Sequence, residues 1–333
     1  MFASKNVKPE NGKTPVLCVV SSPFQFLCGL QYCRQQRLLG FEASLVTVEA
    51  PEASVKWGDL IAWSGDQVAR YPRVAPPIGL GLRTRAVWSL LDALRIAQQI
   101  QASAPMSQLT YCMGSYSDRV QRVARFLLSS RVARVVVLDD GMDSLQLEEW
   151  VAARTENLRD FFKFAPPSPL WFYSAILSDI DERIGTVEEH SFGLVQFDRR
   201  FQGLRCFIGQ PFLHLRMMPF SLYTRILRMA KRSGVTVYVA HPLDGPREEA
   251  AAVAAGLEFR RFGGCAEIEL AGAEQITGVI STVLFSAATL GLANSVTAFR
   301  LKPSSWGTPA DERHAESVYE KFATIGVVIK DVD

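Results

Sequence analysis

Short, β-branched apolar runs separated by stretches of helical length are the feature that most narrows what this chain can fold into. Val16–Ser21 (VLCVVS) has no polar alternation and is too short for a helix, so it reads as a strand buried on both faces. An amphipathic stretch from about Pro23 to Leu39, closed by Gly40, leads to a second strand run at Ala43–Val48. That is one β-α-β unit, and its crossover makes the two strands parallel. The pattern continues with a helix over about Arg85–Ala102, a strand at Leu109–Cys112, a helix over about Ser117–Ser130 and a strand at Arg134–Leu138. The first half is therefore predicted to be a parallel, doubly wound sheet.

Periodicity fades between residues 160 and 203. Ala165–Pro169 (APPSP) is proline-rich and Ile184–Phe201 mixes charges with isolated aromatics, which marks an interdomain passage. Alternation resumes with a strand at Arg205–Ile208, a helix at Ser221–Ser233, a strand at Val235–Ala240 and an alanine-rich helix at Pro246–Gly256. A short strand near Ala266–Leu270, a strand at Ile276–Ile280, an apolar helix from Thr282 to Ala293 and a C-terminal helix over about Pro309–Ala323 complete the expectation. With 333 residues there is room for two domains of ~150 residues. The predicted fold class is α/β, two Rossmann-like domains (1–190 and 200–333) facing a central cleft, a GT-B-type architecture.

Charge and cysteine usage restrict the partners. Thirty-six Lys and Arg against 34 Asp and Glu leave a net charge of +2, without the basic excess of a nucleic-acid binder. Six cysteines without a C-x-x-C pair, most of them among apolar neighbours, fit buried reduced thiols rather than disulfides or a zinc site. The N-terminus is polar where a signal peptide is apolar, and no run reaches the ~20 residues of a membrane span, so a cytoplasmic protein is expected. Arg225, Arg228, Lys231 and Arg232 form a basic helix face, either simply solvated or a contact with anionic lipid at the inner membrane surface.

Three strand ends carry chemistry. Val135–Leu138 ends in Asp139–Asp140–Gly141, two carboxylates at the carboxyl end of a strand, where α/β sheets bind ligands. One can serve as a base while the other caps a helix or holds the turn; the bland alternative is an acidic turn and no more. Val237–Ala240 ends in His241–Pro242, where proline biases His241 toward an extended backbone; the alternative is a satisfied core imidazole. Ser281–Thr282 opens an apolar helix, where backbone N–H groups and the helix dipole favour a phosphate; the alternative is an ordinary N-cap. His190, His214 and His314 lack comparable placement. Gly12–Lys13–Thr14 precedes a strand instead of following one and lacks the first glycine of a P-loop, and Asp179–Ile180–Asp181 reads as a solvated face.

These three sites, in this order, resemble the D/E-D/E-G, His-Pro and Ser-Ser/Thr motifs of the bacterial sialyltransferase superfamily. Ser22–Pro23–Phe24–Gln25 after the first strand also resembles the [ST]-P-x-Q opening of glycosyltransferase family 52, the lipooligosaccharide sialyltransferases, and of the related polysialyltransferases. The resemblance implies inverting, metal-independent transfer of sialic acid, or a related nonulosonic acid, from its CMP-activated form to a glycan hydroxyl. Asp139 would be the general base with Asp140 and Gly141 in support, although the reverse assignment of the two aspartates stays open. His241, with Pro242, would meet the CMP phosphate as hydrogen-bond donor or proton source, and Ser281 with Thr282 would bind its oxygens. Glu267 would hold the cytidine ribose, with Glu269 as rival on the same strand face, and Ser22 and Gln25 would line the donor side. No cofactor and no metal is implied beyond the CMP-sugar itself. The acceptor is a glycan, lipid-linked in many relatives, met by loops that include Arg83–Thr84–Arg85. Competing readings are a transferase using CMP-Kdo or another nucleotide sugar, and a noncatalytic nucleotide- or sugar-binding relative.

Overall fold

The computed structural model describes residues 14–50, 54–77, 79, 82–116, 118–146, 170–197, 203–306 and 308–332. Gly12, Lys13, the Ala165–Pro169 stretch and the Arg83 side chain lie outside what is described. In the first half, β1 (Val16–Val20), α1 (Pro23–Leu38), β2 (Ala43–Glu49), α2 (Ser54–Ser64), β3 (Val68–Pro72), α3 (Leu82–Ser103), β4 (Leu109–Met113), α4 (Arg119–Leu127) and β5 (Val132–Leu138) alternate. A 3-10 turn (Gly141–Gln146), β6 (Leu170–Ser174) and β7 (Gly185–Glu189) follow. The second half runs β8 (Arg205–Ile208), α5 (Phe220–Arg232), β9 (Val237–Val239), α6 (Pro246–Ala254), β10 (Glu258–Arg260), α7 (Ala266–Glu269), β11 (Ala273–Gly278), α8 (Thr282–Thr289), β12 (Ala293–Arg300), α9 (Pro309–Thr324) and β13 (Val328–Asp331).

The strands form two sheets, ordered β3-β2-β1-β4-β5-β6-β7 and β10-β9-β8-β11-β12-β13, with every neighbouring pair parallel. In each sheet the chain winds one way and then jumps back past its first strand. The resulting switch points lie between β1 and β4 and between β8 and β11, where the connecting loops part and leave a crevice.

Several expectations need correcting. The segment read as an irregular passage contains β6 and β7, which extend the first sheet. The stretch read as a strand at Ala266–Leu270 is the short helix α7, and the helix predicted to reach Ala293 ends at Thr289, where β12 soon begins. β3, β7, β10 and β13 escaped because they are the end strands of their sheets, whose faces are only partly covered, and so lack the apolar run that marks a strand buried on both faces: their burial is broken or absent.

Helix α1 explains how the halves join. Ser22 caps it, its Oγ accepting from the Gln25 N–H at 3.2 Å, and Pro23 supplies a preset φ in the first turn. It is not amphipathic in its first half: ten consecutive residues, Phe24–Cys33, are buried. One side packs on the first sheet and another meets the second domain, where Phe24 contacts Phe285 of α8 edge to face at 5.9 Å. The main apolar core is accordingly continuous, running from Cys18, Leu45 and Leu138 through Phe24 to Ile208, Ile276, Leu284 and Phe285. Helix α9 closes the join from the other side by packing on the 3-10 turn after β5. All six cysteines are free and buried, and no described helix is long and apolar enough to cross a membrane.

Phe285→Ala should therefore loosen both domains together. Truncating a fully buried phenylalanine costs about 3–5 kcal/mol, and urea denaturation should show one transition shifted to lower midpoint instead of separate unfolding of the two halves.

Candidate active site

A cavity of about 350 Å³ opens between the carboxyl ends of the two sheets. Ser22, following β1, and Asp140 and Gly141, following β5, line it from the first domain. Gly209 after β8, His241 and Pro242 after β9, Glu267 of α7, and Ser281 and Thr282 at the start of α8 line it from the second. Of the residues singled out in the sequence, Asp139 and Gln25 do not line it.

The two aspartates separate because successive residues leaving a strand point to opposite faces. Asp139 turns into the protein and is 1% exposed. Its carboxylate accepts from the Ser174 hydroxyl and from the Ala175 N–H at 2.7 Å. Burial pushes its pKa up to about 6 against the opposing pull of those donors. Asp140 faces the cleft. Its backbone N–H is bound by Ser144 Oγ at 2.8 Å, and its Oδ1 accepts from Gln25 Nε2. The carboxylate that lines the cleft is thus Asp140, whereas Asp139, the residue first assigned as base, is turned away from it.

Gln25 belongs beneath the cleft, not in its lining. Its Oε1 accepts from the Ser21 N–H at 2.8 Å and from Gln121 Nε2 at 3.3 Å, so its amide N–H₂ is the end left to face Asp140. Gln121 is fixed in turn by the Ser115 N–H at 2.9 Å, and Asp118, which caps α4, accepts from Arg73 at 2.7 Å. The chain of bonds runs from the edge of the sheet to the cleft. Gly114 makes room for it, since a Cβ there would collide with the Gln25 amide.

Across the cleft, Thr282 Oγ1 accepts from the Met142 N–H at 3.2 Å, a direct bond between the domains. Gly141 has φ +68°, and a Cβ on it would collide with Thr282 Oγ1. Ser281 caps α8, its Oγ accepting from the Val283 N–H at 3.2 Å. The N-cap reading therefore holds for Ser281, and Thr282 has a structural task of its own. The amino end of the helix still points into the cleft, where its dipole favours an anion.

His241 Nδ1 accepts from the Leu243 N–H at 3.1 Å, which leaves the proton on Nε2. Burial first, and the Lys56 ammonium second, hold the ring below the ordinary imidazole value of 6.5. It is a neutral hydrogen-bond donor. Its backbone is anchored by Asp244, whose Oδ2 accepts from the His241 N–H at 2.8 Å and from the Tyr238 hydroxyl at 2.7 Å. Lys56, on α2, lines the cleft and went unnoticed in the sequence: its segment reads only as a short helix, and nothing in the pattern says where a lysine on it points.

Glu267 is buried, lines the cleft and accepts from the Cys265 thiol at 2.9 Å. Because α7 is a helix, residues two apart diverge by about 200°, so Glu269 does not share its face and does not line the cleft. Asp181 pairs with Arg183 on an exposed turn, the solvated face expected of it. His190, set aside in the sequence, in fact follows β7 at a strand's carboxyl end and is shielded next to Asp139.

No protein-family model and no curated protein matches the chain. Solved structures do. The chain is similar to TcCGT1 in complex with UDP, with TM-score 0.54 at 11% identity over 96% of this chain and 86% of that one. It is also similar to the UDP-GlcNAc 2-epimerase from Neisseria meningitidis bound to UDP-GlcNAc, with TM-score 0.52 at 10% identity over 93% of this chain and 91% of that one. A further UDP-N-acetylglucosamine 2-epimerase gives TM-score 0.53 at 9% identity over 94% and 88%. The fold is GT-B: two parallel α/β sheets whose carboxyl ends confront each other.

Gly141→Ala should destabilise the junction. The left-handed backbone alone costs an L-residue about 1–2 kcal/mol, and the collision with Thr282 adds to it. Thr282→Ala relieves the collision but also removes the bond to the Met142 N–H, so the double variant should be less destabilised than the sum of the two single variants, a difference that denaturant midpoints of all three would read.

Proposed function

We propose that the chain is an inverting, metal-independent glycosyltransferase that moves sialic acid, or a related nonulosonic acid, from its CMP-activated form to a glycan hydroxyl. The observation that carries this reading is the single cleft lined by Asp140 and Gly141 from one domain and by His241, Pro242, Ser281 and Thr282 from the other. Three short motifs scattered over the chain converge on one cavity, with a carboxylate on one wall and anion-binding groups on the other. Structures of this fold hold UDP and UDP-GlcNAc, which supports a pyrimidine-nucleotide sugar as donor.

Asp140 is the base that takes the proton of the acceptor hydroxyl, and Gln25 positions it. As the glycosidic bond to the CMP phosphate breaks, negative charge builds on the phosphate oxygens. The Nε2–H of His241, the Lys56 ammonium and the amino end of α8 are set to stabilise that charge, supplying what a divalent ion supplies elsewhere. Ser281 and Thr282 carry the backbone N–H groups there, Glu267 takes the cytidine ribose and Ser22 borders the donor. A lipid-linked acceptor would bring the protein to a membrane surface. For that, the groove lined by Arg225, Arg228 and Arg232, beside the exposed Phe220, provides a basic and partly apolar face.

The direct test is release of CMP from CMP-linked sialic acid with a glycan acceptor, run beside CMP-Kdo and UDP-sugars, with and without chelator. Turnover of a UDP-sugar alone would move the donor assignment, and sugar epimerisation without an acceptor would replace transfer by the chemistry named for the epimerases of this fold. Asp140→Asn should lower turnover about 10²-fold or more while leaving nucleotide affinity intact. Asp139→Asn should act on stability instead, and the opposite result would restore the original assignment.

His241 gives a pH test. A ring whose pKa lies below 6.5 is already neutral at higher pH, and the neutral ring keeps its Nε2–H. CMP affinity should then stay flat between about pH 6.5 and about pH 8. An imidazolium contact would instead weaken roughly tenfold per unit above its pKa, a slope that calorimetric titration at several pH values would reveal.

A further inference from the structure

Behind the wall that carries Asp140, three side chains of different chemistry converge from three elements. Cys28 comes from the middle of α1, Asp139 from the end of β5 and His190 from just beyond β7. One ligand atom of each, the thiol sulfur, a carboxylate oxygen and a ring nitrogen, lies within 4.8 Å of the other two. Cys28 is fully buried and Asp139 nearly so. Both ring nitrogens of His190 are shielded from solvent, and the ring has no well-formed side-chain hydrogen bond, only a weak interaction with the Ser191 backbone. A half-buried imidazole whose ring nitrogens are shielded loses more hydration than one weak backbone interaction returns, which in a native interior calls for an explanation such as an ion.

The surroundings hold these groups in place. Tyr173 stacks on the His190 ring at 4.2 Å and 7°, and Phe192 meets it edge-on at 5.0 Å. Asp139 is oriented by the Ser174 hydroxyl and the Ala175 N–H, the kind of outer support that fixes carboxylate ligands in metal sites.

We propose that Cys28, Asp139 and His190 form a buried site for a divalent transition ion of zinc type. Thiolate, imidazole and carboxylate together suit zinc, whereas magnesium and calcium take oxygen alone. Binding releases the thiol proton to solvent and leaves a thiolate and a carboxylate around a dication, so the buried assembly is neutral and no net charge is carried into the interior. Ligand atoms around four-coordinate zinc stand about 3.3–3.8 Å apart, so the three side chains close by about 1 Å, and a fourth position stays open to water. None of the three lines the cleft. The ion therefore ties α1, β5 and β7 together behind Asp140 and takes no part in transfer, and the proposal stands or falls independently of the donor and of the reaction.

The test is metal content, read without any activity assay. Full-length protein from zinc-replete cells should carry about one equivalent of zinc per chain by mass spectrometry. Protein produced in cobalt medium should show the visible bands of tetrahedral Co²⁺ together with a near-ultraviolet thiolate-to-cobalt band. Cys28→Ser should abolish the thiolate band, His190→Gln should weaken Co²⁺ binding at least about tenfold, and Cys206→Ser, a buried thiol in the other sheet, should change neither. Wild-type protein that is metal-free and takes up neither zinc nor cobalt overturns the proposal. So does a cobalt spectrum lacking the thiolate band, a result that needs no variant to fold. Full retention of metal by both Cys28→Ser and His190→Gln overturns it as well.

Discussion

The arrangement depends on a single close approach, where the loop after β5 meets the start of α8. Thr282 accepts the Met142 N–H there, and only a residue without a Cβ fits at Gly141. That contact sets how far apart the two sheet ends stand, and so the width of the cleft. A wider gap would leave Asp140 farther from the start of α8, and a narrower one would shrink the cavity of about 350 Å³. The apolar bridge from Phe24 to Phe285 and the return of α9 to the 3-10 turn hold the same spacing from other directions.

From this junction the division of labour between adjacent carboxylates follows. Asp139, drawn into the protein by Ser174 and Ala175, belongs to the framework, while Asp140 is presented to the cleft by a chain of bonds that begins at Arg73 and passes through Asp118, Ser21, Gln121 and Gln25. The Gln121–Gln25 link is buried and the others are half-buried, and only the outermost, Arg73–Asp118, is an ion pair, so the orientation of Asp140 rests on amide and hydroxyl bonds more than on an exposed pair, which contributes little. The second domain works by backbone as much as by side chain. Helix α8 contributes its amino end, and the Leu243 N–H fixes which nitrogen of His241 carries the proton.

The pattern of apolar runs was enough to read two parallel sheets and the position of the three strand-end motifs, because a doubly buried strand must be apolar along its length and α/β folds bind ligands at one end of their strands. Edge strands such as β7 and β13 carry no such mark, and the polar helix α7 passed for a strand since four residues cannot display a period. His241, Ser281 and Thr282 could be placed at the cleft from sequence because each follows a buried strand run, whereas Ser22 and Glu267 were named only through the family resemblance; all five line the cavity.

What only the tertiary structure decided is direction and company. That Asp140 and not Asp139 faces the cleft depends on the twist of one peptide leaving β5. Gln25 lies below the site because Gly114, some ninety residues away, leaves space for its amide. Lys56 enters from a helix with no motif, and His190 meets Cys28 and Asp139 only through the pairing of β5, β6 and β7. Sequence determined which segments could be strands and helices, since burial on two faces or one imposes a period on the residues themselves. Long-range packing alone determined which side chains share a site, since contacts between distant segments leave no period to read.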